Sequence, residues 1–362
     1  MTTDTVTPSR RKPQGPDAAA GGTQRTRGQR IRRGIAWTAL GLVLVAGGTG
    51  WWMYHRLDSN LSAVDLNKAL GPDRPEKLPS SGTNLLILGS DSRAGANGEL
   101  AGGSSGGLSD TTLMVHIPEG RQQAVVVSIP RDTLITRPEC QKKDGTVLGS
   151  RERVMFNSLL PQAGPGCVVK TVEKMSGVRM DHYIEVDFAG FKNLVDAIGG
   201  VHITLKEPIR HGASGLNLAA GPQKLNGTQA LGFVRTRLGV GDGSDLGRIS
   251  NQQMFLTALL SEVKQQDLFG SPAKTFEIAD AATKSMTTDS ELASLTSLAT
   301  FARSMKGVDP NSMETIMLPV AYDKADPNRV VAAEPQASTL WKALREGTKI
   351  PESAKKSPAT GG

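Results

Sequence analysis

The sequence predicts an α/β fold in which helices pack around a β-sheet, behind one N-terminal membrane-spanning helix. Three observations carry this. Short apolar, partly β-branched runs bounded by turn residues read as buried strands. Longer segments with helical spacing of apolar residues alternate with them, the pattern of a layered α/β domain. Ahead of both lies a stretch of 20 uncharged residues, Ile35 to Tyr54.

Residues 1–33 are polar, with scattered Gly, Pro, Thr and Arg, and are expected to be a disordered cytoplasmic tail. They hold eight basic residues against two acidic ones. The 362-residue chain carries a net charge of +7, yet beyond the tail 34 basic residues face 33 acidic ones. A nucleic-acid partner requires a basic patch on the folded part, which this distribution does not supply. Residues 34–54 read as a signal anchor. The uncharged run matches the thickness of a bilayer core. Arg30, Arg32 and Arg33 flank one end, and Trp51, Trp52 and Tyr54 the other. Positive charge stays cytoplasmic, so the bulk of the chain is expected outside the cell. A cleaved signal peptide is the competing reading, but the run exceeds a typical h-region and no small-x-small cleavage site follows.

Residues 55–82, ending in "GPDRPEKLPSSG", read as a stalk, with the folded domain at 83–348 and a disordered tail at 349–362. Strands are expected at Asn84–Gly89, Thr111–Ile117 and Ala124–Ile129, the first two joined by a glycine-rich loop. "HYIEVDF" reads as a further strand, "AGFKNLVDAIGG" as a helix closed by glycine, and "VHITL" as a strand. "NGTQALGFVRTRL", "DLGRISNQQMFLTALLSEVKQQ" and "ELASLTSLATFARSM" read as helices, and "ETIMLPV" as a late strand. Cys140 and Cys167 are the only cysteines. Outside the membrane they can form a disulfide; two free thiols are the alternative. Their spacing does not suit a Cys/His zinc site.

Stock catalytic motifs fail. "GSSGG", Gly103 to Gly107, has the letters of a nucleophile elbow but sits in the glycine-rich loop, without the strand and helix that motif requires. There is no Walker A sequence and no His-Glu-x-x-His. The five histidines are scattered, and His116 and His202 fall in strands as core or edge residues. What remains is a set of charges at strand ends, where open α/β sheets bind ligands. Asp91 and Arg93 follow the first strand, Asp110 opens the second, and Arg131 and Asp132 follow the third. Arg235 and Arg237 lie two apart, and Asp245, Arg248 and Gln252 share a helix face. Singly, such residues are turn caps or surface charges. Together, arginine forks match phosphate oxygens, and sparse carboxylates suit Mg²⁺ shared with a substrate phosphate. The set describes a pyrophosphate or phosphodiester site.

These residues resemble a known family. "NLLILGSDSR", "SDTTLMVHI", "SIPRDT", "HYIEVDFAGFKNLVDAIGGV" and "GPQKLNGTQALGFVRTR…DLGRISNQQ" are similar, in this order, to the LytR-CpsA-Psr family of Gram-positive cell-wall enzymes. The resemblance runs from about Asn84 to Phe255, and the cysteine pair and the Gly/Ala-rich loop resemble actinobacterial members. It implies a central mixed sheet between helix layers. It also implies a phosphotransferase that moves an anionic glycopolymer from a polyprenyl-pyrophosphate lipid to peptidoglycan. By that resemblance Asp91 and Asp110 hold Mg²⁺, or Mn²⁺ in its place. Arg93, Arg131, Arg235, Arg237 and Arg248 bind the pyrophosphate, Asp245 and Gln252 orient those arginines or the ligand, and Asp132 is a further substrate-binding candidate. An apolar cavity for the polyprenyl chain is expected from Val125, Val127, Phe188, Phe191, Leu194, Ile198 and Phe233. "VMFNSLL" stands where members commonly have "KINAAY". Arg153 keeps the charge before it as a substrate-binding candidate, and the tyrosine is lost. Two alternatives use the same sequence: a pyrophosphatase acting on the lipid without transfer, and a membrane-bound transcriptional attenuator.

Overall fold

The computed structural model describes residues 27–77, 82–90, 109–120, 123–142, 144–211, 216–236, 245–265, 271–305 and 307–360. The chain divides into two units, 1–52 and 53–362. In the first, the described residues belong to helix α1 (Arg27–Ser59), which continues into the second. Its stretch from Ile35 to Ser59 is long and apolar enough to cross a membrane, by length and composition.

The second unit is built on a seven-stranded mixed sheet. Its strands are β1 (Ser62–Val64), β2 (Thr83–Ser90), β3 (Ser109–Ile117), β4 (Val125–Ser128), β5 (His182–Asp187), β6 (Met286–Asp289) and β7 (Glu314–Met317). In space the order is β1-β6-β5-β2-β3-β4-β7. β2 runs parallel to β5 and antiparallel to β3; β4 runs antiparallel to β3 and parallel to β7. The helices are α2 (Asn67–Leu70), α3 (Leu159–Ser176), α4 (Phe188–Ala197), α5 (Gly227–Arg235), α6 (Asp245–Gln265), α7 (Pro272–Ser285), α8 (Leu295–Ser304) and α9 (Gln336–Glu346).

Strand pleating sorts the two faces, because successive side chains point to opposite sides. Leu86, Leu88, Met114, Val125 and Val127 enter one core with Val168 and Val172 of α3 and Leu340 and Trp341 of α9. A second core joins Val195 and Ile198 to Ala230, Phe233 and Phe255, with the hairpin Val201–Leu205/Gly221–Leu225. The expected "VHITL" strand is thus real but belongs to that hairpin and not to the main sheet. α3 breaks at Gly164, whose φ of 77° no helix accommodates, and resumes at Pro165. Cys140 and Cys167 form a disulfide that ties a short strand to α3.

Two expected boundaries move. Residues 55–77 are not a free stalk. Leu57, Leu66 and Leu70 are buried, and β1 adds an edge to the sheet beside β6. Asp58 accepts the backbone N–H of Leu295, and Asn60 donates to Asp280. Nor are residues 349–360 a loose tail. Ile350, Ala354 and Ala359 are buried, and Ser357 bonds both the N–H and the carbonyl of Val320. In both segments polar sequence conceals a few well-spaced apolar anchors. The "GSSGG" loop lies outside the described residues.

Candidate active site

Between the sheet and helices α4, α5 and α6 lies a cavity of about 700 Å³. Strand register builds its floor. Ile87 stands opposite Leu113 on β3 and Ile184 on β5; two residues on, Gly89 stands opposite Thr111 and Val186. All six line the cavity. Gly89 is needed there: a Cβ at this position would lie 3.1 Å from Thr111 Cβ and narrow the floor.

α4 forms one wall. Asp187 caps it, accepting the Gly190 N–H at 2.7 Å, and Phe188, Phe191 and Leu194 face inward at helical spacing. Gly190 lets α4 sit against α7, since a Cβ would come within 2.6 Å of the Ser285 carbonyl. α5 opens with a capping box between Asn226 and Gln229 and ends on Arg235. That guanidinium lies 4.6 Å above the Phe188 ring centre, a cation–π contact that fixes it at the cavity edge. α6 carries a graded stripe: Arg248 and Gln252 one turn apart, then Phe255, Leu256 and Leu259. Phe255 packs on Phe191 with ring centres 5.4 Å apart.

Arg131 completes the polar end. Its turn is held by backbone bonds on both sides: Ile129 N–H to the Thr112 carbonyl, and Asn157 N–H to the Arg131 carbonyl. Asp132 stands behind it, 3.5 Å from Arg131 Nε and 3.8 Å from Arg329. The cavity therefore has an apolar body and a polar end that, among the described residues, carries Arg131, Arg235, Arg248 and the Asp187 carboxylate. Such an end attracts anions, and the low-polarity body strengthens that field.

Seven expected residues thus meet here: Arg131, Arg235, Arg248, Gln252, Phe188, Phe191 and Leu194. Others do not. Val125 and Val127 point to the opposite face, into the core under α3 and α9, because the pleat sends alternate residues of β4 there. Ile198 and Phe233 lie in the second core, on the helix sides turned from the cavity. Arg153 forms a two-pronged bond to Asp323, at 2.8 and 3.1 Å, and does not line the cavity. That contact holds the Asp323 carboxyl down at about 2. Asp91, Arg93 and Arg237 lie outside the described residues, as do the side chains of Asp110 and Asp245, whose backbones belong to β3 and α6. Ile87, Leu113, Ile184, Val186 and Thr111 were missed. Their positions follow from the pleat of β2, β3 and β5, which sends every second side chain to the cavity face; continuous apolar runs such as "LLIL" do not mark which set that is.

Several known proteins are similar to this chain in sequence or fold. "Probable cell wall biosynthesis protein LcpB" of Corynebacterium glutamicum is 32% identical over 353 residues, covering 92% of this chain and 77% of its own. The polyisoprenyl-teichoic acid–peptidoglycan teichoic acid transferase TagU of Oceanobacillus iheyensis is 29% identical, over 72% of this chain and 77% of its own. Among solved structures, a LytR-Csp2A-Psr enzyme from Actinomyces oris shares the fold with a TM-score of 0.57 at 22% identity, covering 78% of this chain and 95% of that one. Residues 53–346 match the sequence profile of one family over most of the chain, and the chain belongs to it: the LytR_cpsA_psr family.

Proposed function

We propose that this protein is a membrane-anchored phosphotransferase that moves an anionic glycopolymer from a polyprenyl-pyrophosphate lipid to peptidoglycan. The observation that carries this is the cavity itself. In a cavity of about 700 Å³ a charged end carrying Arg131, Arg235 and Arg248 opens into an apolar body, the shape of a site for an amphiphile with a phosphorylated head. The relatives named for cell-wall biosynthesis and teichoic acid transfer support the reading.

In this reading Arg131, Arg235 and Arg248 hold the non-bridging phosphate oxygens, and Phe188, Phe191 and the α6 stripe hold the lipid. A sugar hydroxyl of peptidoglycan attacks the phosphorus that bears the polymer. The bond from that phosphorus to the bridging oxygen breaks, polyprenyl phosphate leaves with the electron pair, and the hydroxyl proton passes to a base or to water. Positioning and charge stabilisation suffice for such a transfer. Asp91 and Asp110 would hold Mg²⁺. Among the described residues at that end, Thr111 and Asp187 offer oxygen, the donor this ion prefers. When bound, the ion would neutralise pyrophosphate charge.

The test supplies lipid-linked polymer and peptidoglycan to the full chain in detergent with Mg²⁺. A covalent polymer–peptidoglycan product is expected. Release of polymer phosphate alone would identify a pyrophosphatase instead, and no reaction with any lipid-linked polymer would defeat both readings. Mass spectrometry of co-purifying lipid identifies the carrier.

A further inference from the structure

The opposite end of the sheet carries a second constellation. β5 begins at His182 and ends at Asp187, so five strand steps separate the two by about 17 Å. β6 runs antiparallel to β5 and ends on Asp289. Three backbone N–H groups fix that buried carboxylate: Glu291 at 2.8 Å and Leu292 at 3.1 Å to Oδ1, and Tyr183 at 2.9 Å to Oδ2. The His182 ring is held edge-on by Phe301, with centres 5.2 Å apart.

His182 Nδ1 is shielded from solvent and, among the described residues, forms no well-aligned hydrogen bond, its contact with Asp289 being long. It lies 3.4 Å from Asp289 Oδ2, beyond the ordinary N–H···O range of about 2.7–3.2 Å. That distance does suit two ligands of one tetrahedral ion with bonds of about 2.0–2.1 Å. Glu291 is exposed and offers a second carboxylate; one ligand atom from each of the three lies within 4.8 Å of the others. A cavity of about 30 Å³ adjoins them, room for an ion's water ligand, which needs roughly 10–15 Å³. Neighbouring charges are already matched: Arg74 with Glu173, and Lys77 with Asp181. A carboxylate has about four lone-pair sites, so Asp289 keeps acceptor capacity beyond its three N–H bonds, and Glu291 adds a second carboxylate.

We propose that His182, Asp289 and Glu291 form a binding site for a divalent transition-metal ion of the zinc class, with a fourth position facing the small cavity. One imidazole with two carboxylates is a donor set such ions accept. The carboxylate held by backbone and the ring held by Phe301 are the preorganisation a metal site requires. The ion would join the ends of β5 and β6 to the turn Ser290–Leu292 and, through the cavity wall formed by Asn67 and Leu70, brace α2. This site is separate from the phosphate-binding end and does not depend on the transferase reading.

The experiment titrates the full chain in detergent with Zn²⁺ by calorimetry, with Mg²⁺ saturating so that any oxygen-donor site is filled. One equivalent of Zn²⁺ should bind and raise the melting temperature. His182→Ala and Glu291→Gln should each weaken that binding at least about tenfold and abolish the rise, with activity in the absence of Zn²⁺ unchanged. Glu291 is exposed, so its variant keeps the test open should His182→Ala misfold. Absence of stoichiometric binding, or binding unaltered by Glu291→Gln, overturns the proposal.

Discussion

Gln252 donates from Nε2 to Thr111 Oγ1 at 2.9 Å, and from the same nitrogen to the Val234 carbonyl at 3.2 Å. One amide therefore joins α6, β3 and α5 where the cavity passes from polar to apolar. Gln252→Leu removes both bonds and lets α6 settle differently over the phosphate end. Small misplacements of reacting groups cost about 10²-fold in rate. The expected result is a kcat lowered by that order with the lipid still bound, measured by turnover beside lipid co-purification.

Arg235 holds two contacts at once, the Phe188 ring and the cavity edge. Arg235→Lys keeps the charge but loses the planar fork, so a fall of roughly 10²-fold in turnover is expected. Arg131→Ala and Asp110→Ala should abolish activity with circular dichroism unchanged. Full activity in both would show that the site is misplaced.

Gly89 is where a side chain would meet the cavity floor. Gly89→Val should exclude the lipid, so the co-purifying lipid should disappear while the thermal transition stays cooperative.

The Cys140–Cys167 bridge spans 27 positions. Loop-closure entropy assigns it about 3–4 kcal/mol, and its loss should lower the melting temperature by roughly 5–15 °C. The check is a melting curve with and without reductant, alongside the double Cys→Ser variant.

His116 is buried in β3 with Nδ1 2.7 Å from Asn84 Oδ1. Burial pushes its pKa below the ordinary value, with Asp181 opposing. The folded state therefore rejects a proton that the unfolded chain takes up below about pH 6.5. The stability present above that pH is lost as pH falls below it. His116→Gln should flatten this part of the melting-temperature profile between about pH 7 and pH 5.

Much of this was legible in sequence, for a physical reason. Arg131, Arg235 and Arg248 combine charge with a strand- or helix-end position, and local pattern fixes both. The cavity lining was harder. Phe191 and Leu194 fall at helical spacing in a segment that reads as a helix, whereas Phe188 reads as the end of the preceding strand and joins their face because Asp187 caps the helix one residue earlier. Val125 and Val127 look the same in sequence as Ile87 and Ile184, yet lie on the other side of the sheet. Alternation says that two faces differ, and only strand order says which face meets α4 and α6. The His182–Asp289 pairing had no local signal at all, since 107 positions of chain separate residues that antiparallel pairing brings together.

The position of β1 has a practical consequence. Ser62–Val64 pairs along β6 through Asp289, so the segment that follows the apolar helix α1 closes that side of the sheet. A chain started at residue 83 would leave the outer backbone N–H and C=O groups of Thr287–Asp289 without strand partners. Open rows of this kind template intermolecular pairing. Aggregation of such a shortened protein would then report a missing sheet edge, and solubility should return when residues from Met53 onward are restored.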